Sequence, residues 1–273
     1  MGPVAGAFVG YAVAFAGTLA ASLAAGFLLL ALHPGEPPAD VIESLAGLLA
    51  GGFASSSTLL AVALLGTRSP RPARLRLVAG RASGAAILVM VVGVLALGQA
   101  LESLAFVLGL ASGGALEEIR SALAEASGPM LALAVLGIGV LAGVAEEVFF
   151  RGFMQTRLRE RWPPWAAIGV TALCFGVLHL DRVHATLAFV LGLYLGFVAE
   201  RSRSVVPAAV CHVLNNTGSI LLTAFVGTAT GVLTNLGLFV ATTAVFATAV
   251  GVLQRLLPAR VGEVGGSEGL RVP

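Results

Sequence analysis

Apolar runs long enough to cross a bilayer, about 18 residues or more, recur along the whole chain and constrain its fold more than any other feature. Hydrophobic residues make up 58% of the sequence and charged residues only 11%, where a soluble domain carries about 25% charged residues. Hydrocarbon offers no hydrogen-bond partner to the backbone, and a helix satisfies its own backbone groups. The sequence therefore predicts an all-α, polytopic membrane protein.

The apolar pattern predicts about eight membrane helices in one integral membrane domain, residues 1–257. Their predicted ranges are 7–32, 41–66, 82–111, 130–156, 164–180, 185–200, 205–226 and 231–254. The sixth range is short for a full crossing, so the connection at 181–184 is expected to dip into the protein. Residues 113–128 are predicted to form a polar loop rather than an interfacial helix, and 258–273 a short flexible tail.

Basic residues are distributed unequally between the connections. All 16 are arginines, and most lie in the second, fourth and sixth connections and in the tail. The odd-numbered connections are poor in arginine. Since positively charged loops stay in the cytoplasm, we expect a multi-pass protein of the cell membrane with both termini cytoplasmic.

Four ionisable side chains lie inside predicted membrane helices, where burial makes charge expensive: Glu146, Glu147, His179 and His212. Glu147 and Arg151 are four residues apart on a helix, in the order that favours an ion pair. Glu146 is rotated by about 100° from its neighbour, so it is expected to face a cavity without an arginine partner. The alternative is that this helix ends at Glu146 and the charges lie among lipid headgroups.

These residue types suit the hydrolysis of a peptide carbonyl. A carboxylate and a histidine can activate water, while a second histidine and an Asn amide can stabilise an oxyanion. No serine or cysteine nucleophile is evident, and Cys174 and Cys211 are predicted to be apolar core residues. The same glutamates and histidines could instead hold zinc, although the chain has no HExxH motif. No cofactor is predicted, with zinc left open as an alternative.

Three motifs occur in order: EExxxR at Glu146, Glu147 and Arg151, FxxxH at Phe175 and His179, and HxxxN at His212 and Asn216. Together they resemble the CPBP family, which comprises CAAX prenyl endopeptidases and bacteriocin-processing relatives often described as abortive-infection proteins. The resemblance covers about residues 130–226, the expected catalytic core. It implies an intramembrane glutamic protease fold of about eight helices.

Carried over by position, the resemblance implies that Glu146 activates water with His179. His212 and Asn216 would then form the oxyanion site, supported by Glu147, Arg151 and Phe175. The sequence therefore predicts an intramembrane endopeptidase that hydrolyses a peptide bond near the C-terminus of a membrane-anchored or prenylated, CAAX-like protein.

Three other interpretations of the buried polar residues remain. They are a non-enzymatic membrane immunity or scaffold protein, a zinc-dependent membrane hydrolase, and a proton-coupled transporter. The expected partners are the lipid bilayer and a peptide or lipidated-protein substrate, with no nucleic acid.

Overall fold

The computed structural model describes residues 1–258, and every regular element within that range is helical. Nine helices are labelled here: α1 Pro3–Leu32, α2 Leu45–Leu65, α3 Gly84–Val107, α4 Ala115–Ala124, α5 Gly128–Arg159, α6 Pro164–Leu178, α7 Arg182–Ser202, α8 Val206–Phe225 and α9 Val232–Leu256. Short helices also form at Pro38–Ile42 and Arg71–Arg74. Within the described range, seven helices are long and apolar enough to cross a membrane, and the shorter α6 is also apolar. The all-α, polytopic membrane fold is thus confirmed. The predicted tail lies outside the described residues except for Pro258.

The short helix is α6, which corresponds to the fifth predicted range. The prediction that the sixth range is the short one was wrong. Helix α6 has 15 residues, whereas α7 has 21. Helix α7 begins earlier than its apolar pattern suggested because the Asp181 side chain caps it, accepting a hydrogen bond of 2.8 Å from the backbone N–H of His184. At 1.5 Å per residue α6 spans about 22 Å, less than the roughly 30 Å of hydrocarbon. The turn between α6 and α7 is therefore the segment expected to lie within the protein.

The segment predicted as a polar loop at 113–128 instead contains helix α4, so that prediction was also wrong. Its apolar face packs into a cluster in which Leu123 is buried beside Leu131 and Ile220, with Ile119 against them. Glu117 and Glu118 lie on its exposed face. Burial of these few apolar side chains outweighs the polar composition. Arg120 ties the helix to α3 through an ion pair of 3.0 Å with Glu102.

Two larger apolar clusters hold the bundle together. The first joins α1, α2, α5 and α6 around Phe149, Phe150 and Met154. The second joins α3, α7, α8 and α9 around Met90 and Leu195, and it includes Cys211 as predicted for a core residue. Cys174 is partly buried against the first cluster. The glutamates of α5 and the histidine of α8 meet where these two halves join.

The arginine-rich connections lie together at one end of the bundle. Arg81 donates to the carbonyl of Arg201 at 2.6 Å, and Arg157 donates to the carbonyl of Gly66 at 2.8 Å. Glu200 pairs with Arg159 at 2.9 Å and with Arg76 at 3.7 Å. Burial lowers the pKa of the Arg76 guanidinium from its ordinary value, and the charge of Glu200 opposes that shift. These contacts join the second, fourth and sixth connections on the same side.

Candidate active site

The two adjacent glutamates lie in an unusual part of helix α5. A short α-helical stretch, Gly143–Glu147, is flanked by π-helical turns at Val135–Ala142 and Val148–Gln155. Such turns are rare and occur often at functional sites, because they shift the direction of the side chains that follow. All eight residues of Val148–Gln155 are buried. The glutamates therefore lie deep in the bundle, and the alternative that the helix ends there is wrong.

Glu147 and Arg151 form an ion pair that is wholly buried. Arg151 Nη1 lies 2.8 Å from Glu147 Oε1, and neither side chain is exposed at all. Arg151 Nη2 also donates to the carbonyl of Gly192 at 3.0 Å, and its guanidinium lies 4.9 Å from the centre of the Phe175 ring. A buried charge is costly unless it is paired and hydrogen-bonded, and here the pairing is direct, while Glu147 Oε2 and Arg151 Nε have no partner among the described residues. The i, i+4 spacing predicted this pair correctly.

His212 connects the two glutamates. Its Nδ1 lies 2.9 Å from Glu147 Oε1, and its Nε2 lies 3.5 Å from Glu146 Oε2. The carboxylate of Glu147, held by Arg151, can only accept, so Nδ1 of His212 carries a proton. Glu146 makes no ion pair with an arginine in the described part of the chain, and its side chain is 16% exposed where Glu147 is fully buried. Glu146 is thus the carboxylate that solvent or a substrate can reach.

Phe175 links the second histidine to this cluster. The centre of its ring lies 4.9 Å from that of His179 and 5.8 Å from that of His212, edge-on to both. Nδ1 of His179 lies 2.9 Å from the carbonyl oxygen of Phe175. A carbonyl can only accept, so Nδ1 carries the proton and the neutral imidazole keeps its lone pair on Nε2. No hydrogen bond within residues 1–258 joins His179 directly to Glu146.

Two glycines of α5 allow α8 to approach closely. A side-chain carbon added at Gly143 would lie 3.2 Å from the backbone nitrogen of Val213, and one at Gly139 would lie 2.6 Å from the hydroxyl of Thr217. This small-residue packing lets membrane helices meet backbone to backbone. It brings His212 within hydrogen-bonding distance of Glu147.

The same approach positions Asn216, which lies one turn after His212. Its amide donates to the carbonyl of Ile138 at 3.3 Å, so one of its two N–H bonds is used and the other is left. The neighbouring Asn215 turns away from α5, because its side chain lies against Gly98 of α3. Of the two asparagines, Asn216 is the one on the glutamate side of α8.

Pairwise contacts link five of the predicted site residues into one cluster, with His212 between the two glutamates and Arg151 between Glu147 and Phe175. His179 joins them through Phe175, and Asn216 through the packing of α8 on α5. Sequence reasoning missed His184, whose ring centre lies 4.3 Å from that of His179 across the α6–α7 turn. The available signal was a second histidine five residues later, with Asp181 as a helix cap between them.

Sequence reasoning also missed a polar role for two glycines of α7. Gly192 and Gly196 pack tightly against Phe175 and Ile168 respectively. Their carbonyls additionally accept hydrogen bonds from Arg151 at 3.0 Å and from the buried Gln155 at 3.1 Å. The glycine pair therefore anchors the polar side chains of α5 as well as the helix.

The described residues contain no preformed metal site. No group of three His, Cys, Asp or Glu residues within 1–258 is arranged to hold a metal ion. Glu147 Oε1 is already held by Arg151 and by Nδ1 of His212. The prediction that the protein uses no cofactor stays a prediction.

Fold and site together define a polytopic membrane protein with a buried carboxylate–imidazole cluster of the kind that hydrolases use. Residues 128–218, which contain every predicted site residue, match the family model described as type II CAAX prenyl endopeptidase, Rce1-like. The resemblance inferred from the three motifs is thereby confirmed.

The remaining comparisons with known proteins give no further information about the site. A family described as a tail-tube assembly protein matches residues 191–264, a range that overlaps the first match and consists largely of the apolar helices α7, α8 and α9. That match carries no argument about the site. No curated protein and no solved structure matches the chain significantly.

Proposed function

We propose that the protein is an intramembrane endopeptidase that hydrolyses a peptide bond near the C-terminus of a membrane-anchored or prenylated, CAAX-like protein, with Glu146 as general base. The observation that carries this function is the contrast between the two glutamates. Glu147 is fully buried and bound by Arg151, whereas Glu146 is partly exposed and has only His212 beside it. A carboxylate free of a permanent cation can accept a proton from water.

Water activation is assigned to Glu146 together with His179. The Nδ1 proton of His179 is bound to the Phe175 carbonyl, which leaves its Nε2 lone pair as a second acceptor for a water O–H. Glu146 takes the proton as the water oxygen attacks the carbonyl carbon of the peptide. The same proton then passes to the nitrogen of the leaving amine as the C–N bond breaks.

Oxyanion stabilisation is assigned to His212 and Asn216. Glu147 fixes the ring of His212 through Nδ1, and His212 acts as a donor in its doubly protonated, imidazolium form, with the N–H at Nε2 directed toward the Glu146 side. Asn216 keeps one N–H after its bond to Ile138. Donors held in place before the reaction stabilise the developing negative charge without having to reorganise.

The proposed setting is the cell membrane, with both termini in the cytoplasm. The clustering of the arginine-rich connections at one end of the bundle supports this orientation, since an even number of crossings returns the chain to the same side. The proposed partners are the lipid bilayer and a peptide or lipidated-protein substrate. No nucleic acid and no cofactor are proposed.

Cleavage of a fluorogenic farnesylated CAAX peptide by the detergent-purified protein tests this function. Wild type and Glu146→Gln are assayed side by side, each with and without a chelator. We expect the substitution to lower kcat/KM by about 10²-fold to 10⁴-fold, since it removes the general base and keeps the shape of the side chain. Chelator is expected to leave the wild-type rate unchanged.

Glu43→Ala, in an exposed connection, is the matched control and should cleave at the wild-type rate. A non-prenylated peptide of the same sequence distinguishes a lipidated substrate from a plain membrane peptide. Undiminished cleavage by Glu146→Gln would overturn the assignment of the base. Activity lost in chelator and restored by zinc would favour a metal hydrolase. A folded wild type that cleaves neither peptide would favour a scaffold.

A further inference from the structure

The turn between α6 and α7 is fixed at both of its ends. Leu180 adopts a left-handed conformation with φ 61°, and the backbone N–H of Asp181 donates to the carbonyl of His179 at 2.7 Å. The Asp181 side chain then accepts from the backbone N–H of His184 at 2.8 Å. A turn fixed in this way returns the chain so that the first turn of α7 faces the last residue of α6.

This return places the imidazole of His184 against that of His179. The ring centres are 4.3 Å apart and the planes are tilted by 57°. His179 also contacts the Phe175 ring, with the ring centres 4.9 Å apart and the planes near perpendicular. The imidazole of His179 is thus in contact with two rings, and its Nδ1 is bound to the Phe175 carbonyl. Only the Nε2 edge is left without a protein partner.

The imidazole of His184 is only partly buried. Its ring nitrogens make no hydrogen bond to a residue within 1–258, and they are not among the fully buried polar atoms that lack a partner. Water or a substrate can therefore bind the polar edge of this ring.

We propose that His184 is a positioning residue, which holds the imidazole of His179 by ring contact and keeps its Nε2 directed at the water that Glu146 activates. This role rests on the proposed function. It acts through His179 and needs no proton of its own. It also explains why the α6–α7 turn is so firmly fixed, because a shift of the turn would move both histidines.

Kinetics of His184 variants on the farnesylated peptide give the first test. His184→Ala removes the ring, and we expect kcat to fall by about 10-fold to 10²-fold with KM within about twofold of wild type, because misplacing a catalytic group affects the transition state more than substrate binding. His184→Phe keeps a ring in contact with His179 and should restore kcat to within about threefold of wild type. Thr186→Ala, on the exposed side of the same helical turn, is the control and should behave as wild type.

A readout independent of activity separates this role from the proposed function. The protein has four histidines, so ¹⁵N-histidine labelling and solid-state NMR in lipid can report the tautomer of each imidazole. We expect His179 to carry its proton on Nδ1 in wild type and His184→Phe, and to become a tautomer mixture in His184→Ala. An unchanged tautomer and unchanged kcat in His184→Ala would overturn the positioning role. If Glu146→Gln cleaves normally while the tautomer does change, the proposed base is wrong and the positioning of His179 stands.

Discussion

The least buried membrane helix, α1, and the helix that carries the two glutamates, α5, use similar apolar sequences in opposite ways. Of the 30 residues of α1, only Ala7, Gly10 and Ala14 are buried, and large side chains such as Phe27 and Leu28 are exposed to the surrounding lipid. In α5, every residue of Val148–Gln155 is buried, including the charged Arg151 and the polar Gln155. Hydrophobicity therefore does not separate the inside of this protein from its outside, since lipid is as apolar as the core.

The difference between α1 and α5 shows where polar side chains are tolerated in such a bundle. The lipid-facing helix carries no Asp, Glu, Lys or Arg over its whole length. In the buried helix, Glu147 and Arg151 pair with each other and Glu147 also binds His212, although Glu147 Oε2 and Arg151 Nε have no partner among the described residues. Close packing through Gly139 and Gly143 makes the contact with His212 possible. Substitutions in the two helices test whether α1 and α5 differ as sharply in their contribution to the free energy of unfolding as they do in burial.

The largest expected effect comes from breaking the buried ion pair. Arg151→Met leaves Glu147 buried without its cation, which should lower the free energy of unfolding by about 3–5 kcal/mol. Thermal unfolding in detergent measures the change. The double variant Arg151→Met/Glu147→Gln removes both charges and should recover most of the loss. Arg159→Met, at a partly exposed pair, should cost at most about 1 kcal/mol. An equal loss of unfolding free energy in Arg151→Met and Arg159→Met would contradict the claim that burial makes the Glu147–Arg151 pair more costly to break.

A smaller effect is expected from the packing of α8 on α5. Gly143→Ala places a methyl group 3.2–3.3 Å from the backbone of Val213, so the two helices must move apart by a few tenths of an ångström. We expect a loss of about 1–3 kcal/mol in unfolding free energy, together with reduced peptide cleavage. Gly237→Ala in the peripheral α9 has open space around it and serves as the matched control. If both variants behave alike, close packing does not position His212.

The smallest effect is expected on the lipid-facing helix. Leu28 is 61% exposed, and Leu28→Ala should change the free energy of unfolding by no more than about 0.5 kcal/mol. Leu158→Ala at the fully buried end of α5 should cost about 2–5 kcal/mol in the same unfolding assay. Comparable losses would mean that α1 has a protein partner on its exposed face.

Local features of the fold could be predicted from the sequence. Hydropathy alone located the apolar helices, because a membrane span needs a continuous apolar run that few other structures need. The Glu147–Arg151 pair followed from helical spacing, which fixes neighbours one turn apart. Asn216 lies four residues after His212, and both side chains bond to residues of α5, as this spacing on one helix face allows.

Features set by contacts between distant parts of the chain could not be predicted. The amphipathic α4 depends on Leu123 meeting Ile220, and its own residues look like a polar loop. The early start of α7 depends on a single capping carboxylate at Asp181. His184 was passed over because its partner lies across a turn whose geometry no local pattern encodes. The π-helical turns beside the glutamates likewise have no distinctive composition.

The arginines at the ends of the helices have a consequence for how the protein is made. On the proposed orientation, their charge holds these connections on the cytoplasmic side while the chain is being inserted. In the finished bundle the same guanidinium groups bind backbone carbonyls of neighbouring connections, as Arg81 and Arg157 do. Membrane insertion depends on the positive charge of the side chain, whereas the carbonyl contacts depend on the planar arrangement of N–H donors in the guanidinium group. The chain contains 16 arginines and no lysine. The residues that orient the chain during insertion are therefore all of the type that can bind the carbonyls of a neighbouring connection.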